Sequence, residues 1–437
     1  MYVALLILLA TSASALPANV KEISPLVGGV RSTAKEDTWT RHEEYNEQNC
    51  LTEFTSLLTA NSSTTYADPK TYRMTYNLTF TNKDAVVDWV KIWMPKPVQW
   101  GSQTSVSIEK MSPSPDSQFE DSQNGNGISY WRFASVKPAS SVTVSMQLVF
   151  TVCRICCQVD ESKIGVYDKN GAEYLLYTRS ERYVESDYLP IMTKAMQLVG
   201  NVTSIFLQAR KIYDWVLEHM SYKLVYGWKG AKFAYDNGYG ECGDYAALFV
   251  ALCRVVGIPA RLVSGLFWTR AGTYPAGNNR GIHAWAEFLL PGCGWIPVDP
   301  SVGDGSNRPG DYFSGHPDTD RFLVMSRGSN IMLETGVTAS LLQIGAYWYR
   351  GETGKTELTY SYSVQTTTPP TSSTAQAGSE NGSAFPISRS TTKLSCTQIT
   401  STSVSKRLSM GTGGLIPYPS AELTGVFAVI IALKTEE

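Results

Sequence analysis

The sequence lacks a charge imbalance and is poor in histidine. Its 437 residues include 37 lysines and arginines against 39 aspartates and glutamates, a formal net charge of -2, and only 4 histidines. A chain so close to neutral provides no field for a polyanion or a strongly basic protein. We therefore expect no nucleic-acid partner, and a general base would have to come from a short list of histidines.

Long apolar runs are also missing. The run at residues 3–10 falls far short of the roughly 20 residues that span a bilayer, and no Lys or Arg precedes it. Small residues at 13–15 and then Leu16-Pro17 favour a signal peptide over residues 1–15, although a membrane helix is the alternative. The sequence thus predicts a secreted or cell-surface protein whose mature chain begins near Leu16.

A second short apolar run, 423–433, stands near the C-terminus and is followed by Lys434 and two glutamates. A polar spacer with small residues precedes this run. The segment is therefore interpreted either as a lipid-anchor signal or as a frayed tail. We expect membrane association only if this segment directs a lipid anchor.

Cysteines and glycosylation sequons also bear on the predicted secreted or cell-surface location. Most of the eight cysteines would pair in an oxidising compartment, whereas a catalytic one must stay free, and removing Cys242 leaves seven. Cys153, Cys156 and Cys157 have C-x-x-C spacing without a second Cys/His pair nearby, which favours disulfides over a metal site. A glycoprotein is indicated by four Asn-x-Ser/Thr sequons, at Asn61, Asn77, Asn201 and Asn381.

Hydrophobic periodicity predicts the α+β class. Residues 46–180 alternate apolar and polar side chains, most clearly from Tyr72 to Phe80, and predict an N-terminal antiparallel β-sandwich. Residues 195–332 combine helical and strand patterns, so we expect a mixed domain there. The remaining predicted segments are a linker or arm at 16–45, a terminal β segment at 333–363 and a disordered Ser/Thr/Pro-rich tail at 364–437.

Cys242 stands where a helix is predicted to begin. Gly238 and Gly240 precede it, and an apolar-periodic stretch follows until Gly257 and Pro259. A nucleophilic cysteine needs its thiolate, which the unpaired N–H groups and the dipole of a helix N-terminus stabilise. The same N–H groups could bind an oxyanion, so the pattern favours nucleophilic catalysis by Cys242.

His283 and Asp299 supply the matching base and orienting carboxylate. His283 opens a predicted strand, and Asp299 ends the next apolar stretch. If the two strands are antiparallel neighbours, the carboxylate lies beside the imidazole and holds it in the tautomer that accepts the thiol proton. Each residue alone has a structural interpretation: Cys242 as a structural thiol, His283 as a residue of the sheet and Asp299 as a turn residue. The presence of all three sequence blocks together favours the catalytic interpretation.

These blocks, in the order Cys, His, Asp, resemble the core of the transglutaminase-like superfamily, papain-like enzymes. The resemblance covers residues 238–300 and is carried by Gly240-Glu241-Cys242, the AALFVALCRVVGIPAR stretch at 246–261, His283-Ala284-Trp285-Ala286-Glu287 and residues 295–300. It implies a papain-like transglutaminase core after the sandwich.

The resemblance further implies attack on a peptide or glutamine-type amide, through a cysteine thioester that water or an amine resolves. Expected partners are a peptide or protein substrate and, for the transferase branch, a primary amine acceptor. The animal cross-linking members have further β-sandwiches and an acidic calcium loop, which we do not find here, so we expect no cofactor and favour the peptidase or amidase branch. A non-catalytic surface-binding or assembly module on the same scaffold is the alternative.

Neighbouring residues have less specific expectations. Trp285 and Trp295 are predicted to be core or cleft-wall aromatics, and Cys253 an inert thiol on the buried stripe of the Cys242 helix. Glu241 and Asp244 would stabilise the first helical turn, with Glu241 a candidate border of the substrate groove. Trp228 and Tyr239 lie near Cys242 in sequence, but neither is assigned as an oxyanion donor.

Overall fold

The computed structural model describes residues 21–23, 64–225, 227–274, 281–351 and 354–368. The predicted signal peptide, the C-terminal apolar run, the sequons at Asn61 and Asn381, and almost all of the predicted linker and tail lie outside these residues. Within them, no helix is both long and apolar enough to cross a membrane.

Strands are more abundant than helices in the described chain. In chain order they are β1 (Lys21–Ile23), β2 (Thr64–Asn82), β3 (Val87–Lys96), β4 (Gln103–Ser112), β5 (Ser117–Glu120), β6 (Gly127–Val136), β7 (Ser140–Cys157), β8 (Ser221–Tyr222), β9 (Tyr239–Gly240), β10 (Ala260–Phe267), β11 (Gly272–Tyr274), β12 (Ile282–Leu290), β13 (Gly294–Val298), β14 (Gly315–His316), β15 (Phe322–Arg327), β16 (Ile331–Glu334), β17 (Val337–Ala339), β18 (Ala346–Gly351) and β19 (Thr356–Thr366).

Helices are concentrated between β7 and β14. They are α1 (Ala172–Thr178), α2 (Leu189–Val199), α3 (Ile205–His219), α4 (Gly230–Asn237), α5 (Cys242–Val255) and α6 (Pro300–Gly305), with 3-10 turns at Glu161–Lys163, Pro309–Tyr312 and Thr319–Arg321. The predicted helix start is confirmed, because α5 begins at Cys242, and the Ser204 hydroxyl caps α3 by accepting from Leu207 N–H.

Two antiparallel sheets face each other around one hydrophobic cluster. The first has the order β11-β19-β2-β7-β14, with β4 also paired to β7, and the second has the order β18-β3-β6-β5. The alternation predicted from Tyr72 to Phe80 is confirmed, because its apolar side chains are 0 to 6% exposed and pack against residues of the second sheet such as Ile92 and Trp131.

The sandwich is not confined to residues 46–180. Strand β18 pairs with β3 and strand β19 pairs with β2 along its whole length. The predicted terminal segment therefore completes both sheets, and β19 runs to Thr366, three residues into the predicted tail. The stretch assigned to the sandwich also ends in a helix, α1. Alternation identifies strands but not their partners, which explains both differences.

A third antiparallel sheet, in the order β13-β12-β10-β15, supports the predicted catalytic residues. Helix α5 packs on one side of it, where Leu248 and Phe249 share a cluster with Leu262 and Phe288. Toward the sandwich, Leu266, Trp268 and Leu323 join its core. Strand β10 is buried along its entire length, and most of its residues are apolar on both faces.

The two smallest sheets lie beside these layers. Strands β8 and β9 pair in parallel just before α5, and β1 pairs in parallel with β17. Residues Lys21–Ile23, which the sequence places in a linker, thus form a strand edge.

The described cysteines form no disulfide with one another. The disulfides expected for the Cys153–Cys157 cluster are therefore not supported. Cys153 and Cys157 are buried in β7, and burial raises the pKa of each thiol to about 11.

Candidate active site

Cys242 is the first residue of α5 and is half-buried. The chain reaches it through Gly238, which ends α4 with a φ of +67°, and through the short strand β9. Gly240 has no room for a side chain, because an added Cβ would lie 2.6 Å from the Asp244 Cβ. The two glycines thus provide the sharp entry that the sequence predicts for the thiol-bearing helix.

Asp244 does more than stabilise the first turn of α5. It is 0% exposed, and its Oδ1 accepts from Lys229 N–H at 2.9 Å and Gly230 N–H at 2.8 Å, while its Oδ2 accepts from Glu241 N–H at 3.0 Å. The carboxylate therefore fixes the turn at 228–230 against the start of α5. Burial outweighs these hydrogen bonds and raises the pKa of Asp244.

Trp228 is held beside the thiol-bearing turn by this arrangement. A Cβ at Gly243 would lie 3.1 Å from Trp228 Cδ1 and 3.2 Å from its Nε1. The indole N–H is buried and has no hydrogen-bond partner among the described residues. Because this N–H lies beside Gly243, the residue that follows Cys242, it is a candidate donor to a bound ligand.

His283 and Asp299 meet as the sequence predicts. Strands β12 and β13 are antiparallel neighbours, with Ala286 opposite Val298, so Asp299 follows the end of β13 beside the start of β12. His283 Nε2 lies 2.5 Å from Asp299 Oδ2. Both residues are buried, at 6% and 0% exposure.

Asp299 is also the N-cap of α6. Its Oδ1 accepts from the Ser301 hydroxyl at 2.9 Å and from Val302 N–H at 3.1 Å. Both carboxylate oxygens are thus engaged, and the helix start adds partial positive charge. Burial opposes ionisation, but His283 and the other donors dominate and lower the pKa of Asp299 far below its usual range.

The charge state of His283 follows from its neighbours. Burial favours the neutral ring, yet the carboxylate of Asp299 and then the sulfur of Cys242 together raise the pKa of His283 to about 10. The imidazole is therefore protonated at neutral pH. Because Nε2 faces Asp299, Nδ1 is the ring nitrogen left for the hydrogen bond with the Cys242 sulfur. The structure thus brings all three predicted site residues together.

Sequence reasoning assigned no role to His316, which also reaches Asp299. Its Nε2 lies 3.1 Å from the same Oδ2 that contacts His283, and its side chain is 0% exposed. The sequence signal was the scarcity of histidine, since His316 is one of only 4. No local pattern shows that β14 would carry it to Asp299.

Glu241 and Tyr222 border the thiol on its open side. Glu241 Oε1 accepts from Val225 N–H at 2.7 Å, and burial, reinforced by Asp244, raises the pKa of Glu241 to about 7. The Tyr222 side chain is 51% exposed, yet its hydroxyl end is desolvated and close to the Cys242 sulfur, so its pKa is raised. The border position proposed for Glu241 agrees with these contacts.

The other singled-out residues are structural neighbours of the site. Trp285 is fully buried and packs against Phe322. Trp295 is half-buried, and the Arg261 guanidinium lies 3.7 Å from the centroid of its ring. Cys253 is 0% exposed, and burial raises the pKa of its thiol well above the ordinary value.

One group of described residues has the composition of a metal site. His283, Asp299 and His316 place one ligand atom each within 4.8 Å of one another. Both imidazole Nε2 atoms lie at hydrogen-bond distance from a single carboxylate oxygen, at 2.5 and 3.1 Å, so direct hydrogen bonds account for this group. The expectation of no cofactor stays a prediction.

Comparison with known proteins bears on this site directly. Residues 193–300 match the family described as the Transglutaminase-like superfamily. The chain is 38% identical over 72 residues to a protein-glutamine gamma-glutamyltransferase of Pseudomonas aeruginosa, an alignment that covers 16% of this chain and 11% of that protein. It is 27% identical over 169 residues to the uncharacterised Bacillus subtilis protein YebA, covering 33% and 22% of the two chains.

A further relative and one solved structure complete the comparison. An uncharacterised Haemophilus influenzae protein is 32% identical over 123 residues, covering 24% of this chain and 33% of its own. A crystal structure from Cytophaga hutchinsonii, provisionally described as a cysteine protease, superposes with a TM-score of 0.49 at 14% identity over 71% of this chain and 94% of that one. This superposition is too loose to bear on function.

Residues 193–300 are thus a domain of the transglutaminase-like superfamily, and the resemblance found in the sequence is confirmed. The matched segment contains Cys242, His283 and Asp299. At the level of the family, this supports a thiol-dependent enzyme. The alignments span only a tenth to a third of the curated relatives' own lengths, so the activity of the whole chain is a separate question.

Proposed function

We propose that the protein is a secreted or cell-surface cysteine enzyme that attacks a peptide or glutamine-type amide and forms a thioester on Cys242. The single observation that carries this proposal is the position of His283, whose Nε2 lies on Asp299 while the ring interacts with the Cys242 sulfur. An imidazolium beside the sulfur favours a negative charge on it, which is what a nucleophilic thiol requires.

The first chemical step forms a carbon–sulfur bond and then breaks the amide. The Cys242 sulfur attacks the carbonyl carbon, and its electron pair displaces the carbonyl π electrons onto oxygen. As the oxyanion collapses, the C–N bond breaks and the leaving nitrogen takes a proton from the His283 imidazolium. The products are ammonia or an amine, a thioester on Cys242 and a neutral His283 stabilised in position by Asp299.

The second step regenerates the thiolate. Neutral His283 accepts a proton from water or a primary amine while that molecule attacks the thioester carbon, and the C–S bond breaks. Water yields a carboxylic acid and an amine yields a new amide. In both cases the enzyme returns to the thiolate–imidazolium pair with which it began.

The oxyanion needs donors that are already oriented. The backbone N–H groups of Cys242 and Gly243 begin α5, where the helix itself offers no acceptor, and the buried indole N–H of Trp228 is unpaired among the described residues. Asp244, which accepts from the backbone at 229 and 230, supports the turn that carries Trp228. We propose that these groups stabilise the oxyanion together.

The location of the protein and the branch of the reaction are supported by separate observations. The signal-like N-terminus and the sequon at Asn201, whose side chain is exposed, support a secreted or cell-surface location. The protein-glutamine gamma-glutamyltransferase similarity supports glutamine amides as substrates and an amine as one possible acceptor.

Mass spectrometry of a glutamine-containing peptide library tests the proposal. Incubation with and without an added primary amine separates chain cleavage, deamidation and amine incorporation by product mass. Cys242→Ala should lower every such product by roughly a thousandfold or more, because no other group can form the thioester. Cys253→Ala is the matched control, since it removes a fully buried thiol from the same helix.

Thiol labelling distinguishes a wrong substrate panel from a wrong mechanism. Iodoacetamide should modify Cys242 at pH 6 to 7 far faster than a cysteine in a denatured chain. Product formation by Cys242→Ala at the rate of the unmodified protein would refute the proposal. So would an unmodified protein that gives no product and labels Cys242 no faster than the denatured chain.

A further inference from the structure

A second histidine contacts the carboxylate of the proposed triad from a different part of the fold. His316 lies in β14, which pairs antiparallel with the end of β7, with His316 opposite Ile155. Its backbone carbonyl accepts from the Thr319 hydroxyl at 3.0 Å, and the same hydroxyl donates to Cys153 O at 2.7 Å. The sandwich strand β7 therefore fixes the backbone of His316.

Both imidazoles use the same acceptor atom. Asp299 Oδ2 lies 2.5 Å from His283 Nε2 and 3.1 Å from His316 Nε2. An ionised carboxylate only accepts, so each Nε2 must carry the proton of its hydrogen bond. With Ser301 and Val302 donating to Oδ1, Asp299 accepts four hydrogen bonds, two on each oxygen.

The remaining ring nitrogen of His316 faces no polar partner. Nδ1 is buried and has no hydrogen-bond partner among the described residues. The ring lies edge-on to three aromatic side chains, Trp285, Tyr312 and Phe322, at centroid distances of 5.3, 5.7 and 5.3 Å. A bare nitrogen tolerates such surroundings better than a buried N–H without an acceptor, which indicates the neutral ring with its proton on Nε2.

We infer that His316 is a positioning residue for the thiol reaction, and that its Nε2–H holds Asp299 ionised and correctly rotated for His283. The inference rests on the proposed function, because it assigns His316 a role through the same Asp299. His316 itself does not reach the substrate in this role.

The hydrogen-bond pattern explains what His316 contributes. Asp299 is 0% exposed, so every lone pair that loses a donor loses solvation that water cannot replace. Without His316, Oδ2 would keep only the Nε2–H of His283, a ring that alternates between its charged and neutral forms as Nδ1 exchanges a proton with the thiol and the substrate. His316 supplies a donor to Oδ2 that does not take part in the proton transfers.

Two substitutions separate this role from simple packing. His316→Phe keeps a ring among Trp285, Tyr312 and Phe322 but removes the donor, whereas His316→Gln keeps an amide N–H near the Nε2 position and removes the ring. A positioning role makes the Gln variant the more active one. A packing role makes the Phe variant the more active one, because it retains the aromatic contacts.

The readout is the rate of Cys242 alkylation by iodoacetamide between pH 4 and 10, which needs no known substrate. We expect His316→Phe to react about tenfold more slowly than the unmodified protein at pH 6, with the acid limb of the profile displaced upward by about one pH unit. His316→Gln should stay within about threefold. Other titratable groups close to Asp299 are Tyr213, Tyr222 and Tyr312, and neither substitution alters them.

His219→Phe and His219→Gln are the matched controls, because His219 is stacked on Trp215 and its Nε2–H donates to Tyr235 O rather than to Asp299. Both should leave the profile unchanged. Equal profiles for His316→Phe and the unmodified protein, or a Phe variant faster than the Gln variant, would overturn the inference while leaving the proposed function intact. Slow labelling of Cys242 in the unmodified protein would overturn both.

Nitrogen NMR of the unmodified protein decides the matter if His316→Phe does not fold. Labelling only the 4 histidines gives a spectrum simple enough to assign with the His219 and His316 variants. We expect His316 at neutral pH to carry a proton on Nε2 alone, coupled across a hydrogen bond to Asp299. A proton on Nδ1 together with an unprotonated Nε2 would refute the inference, since Nε2 could then not donate to Asp299.

Discussion

Asp299→Asn is the perturbation that tests the site most directly. Asparagine retains one acceptor oxygen, which can still serve Ser301 and Val302, but its amide group then points two N–H donors at the Nε2 atoms of His283 and His316. His283 must rotate or move its proton to Nδ1, the nitrogen that faces Cys242. A ring protonated there when neutral cannot accept a proton from the incoming water or amine.

The magnitude follows from the pKa of His283. With Asp299 ionised this pKa is about 10, so at pH 9 roughly ten rings are protonated for each neutral one. The carboxylate is the largest of the groups that raise the pKa, while burial lowers it. If loss of the Asp299 carboxylate lowers the pKa of His283 by about two units, the protonated fraction of His283 at pH 9 falls about tenfold. The wrong tautomer of the neutral ring lowers the rate further, so turnover should fall by roughly 10³ to 10⁴, as in Ser-His-Asp triads.

Thermal unfolding as a function of pH provides an independent measurement on the same variant. The raised pKa of His283 adds stability that is complete below about pH 6.5 and is lost as the pH rises through about 10. The lowered pKa of Asp299 adds stability above about pH 4 that is lost as the pH falls. The difference in melting temperature between the unmodified protein and Asp299→Asn should therefore be largest between about pH 4 and 6.5.

Asp214→Asn is the control, since Asp214 lies on the surface of α3 in an exposed ion pair with Arg210. It should change stability by less than about 1 kcal/mol and leave the pH dependence unaltered. A melting-temperature difference for Asp299→Asn that stays constant from pH 5 to 10 would refute the reasoning. It would show that His283 does not owe its charge to Asp299.

Two more substitutions test the thiol-bearing turn. Glu241→Gln removes an ionisation that is unfavourable in the folded state, because burial raises the pKa of Glu241 to about 7. The gain in free energy of unfolding over the unmodified protein should therefore be about 1 kcal/mol larger at pH 8 than at pH 4. Denaturant melts at the two pH values measure this gain, and an equal gain at both would contradict the expectation. Gly243→Ala should lower turnover about tenfold by displacing Trp228, which lies 3.1 Å from the added Cβ. Alkylation of Cys242 should change much less, and a parallel loss of both would show that the thiol itself has moved.

The juxtaposition of Cys242, His283 and Asp299 was predictable because each of these residues has a local signal. Cys242 follows a glycine turn at a helix start, and His283 and Asp299 flank a strand pair whose short connection forces antiparallel register. The spacing in the chain therefore determines the spacing in the fold. The start of α5 at Cys242 matches the sequence prediction for the same reason, whereas α4 and the short strands β8, β9 and β11 were not predicted.

His316 and the sandwich boundaries were not predictable in this way. The contact between His316 and Asp299 depends on β14 pairing with β7, strands separated by more than 150 residues, and no periodicity encodes such a partner. The same holds for β19, which reads as an isolated alternating stretch but pairs with β2. The hydrogen bonds from the backbone at 229 and 230 to Asp244 could not be predicted either. A carboxylate in the first turn of a helix is already explained by the helix dipole, so the sequence gives no reason to expect a further contact.

The order of strands in the two large sheets gives the superfamily domain the topology of an insertion. The chain enters the sandwich at β2 and leaves it after β7 for the segment that holds Cys242, His283 and Asp299. That segment adds the short strands β11 and β14 to the first sheet, and the chain returns at β18 and β19, which complete the two sheets. Residues 193–300 expressed alone would lack β14, β15 and the apolar surface that covers Leu266 and Trp268. Co-translational folding of this protein must therefore wait for its last strand, and a ribosome stalled before residue 346 would expose two incomplete sheets to chaperones and proteases.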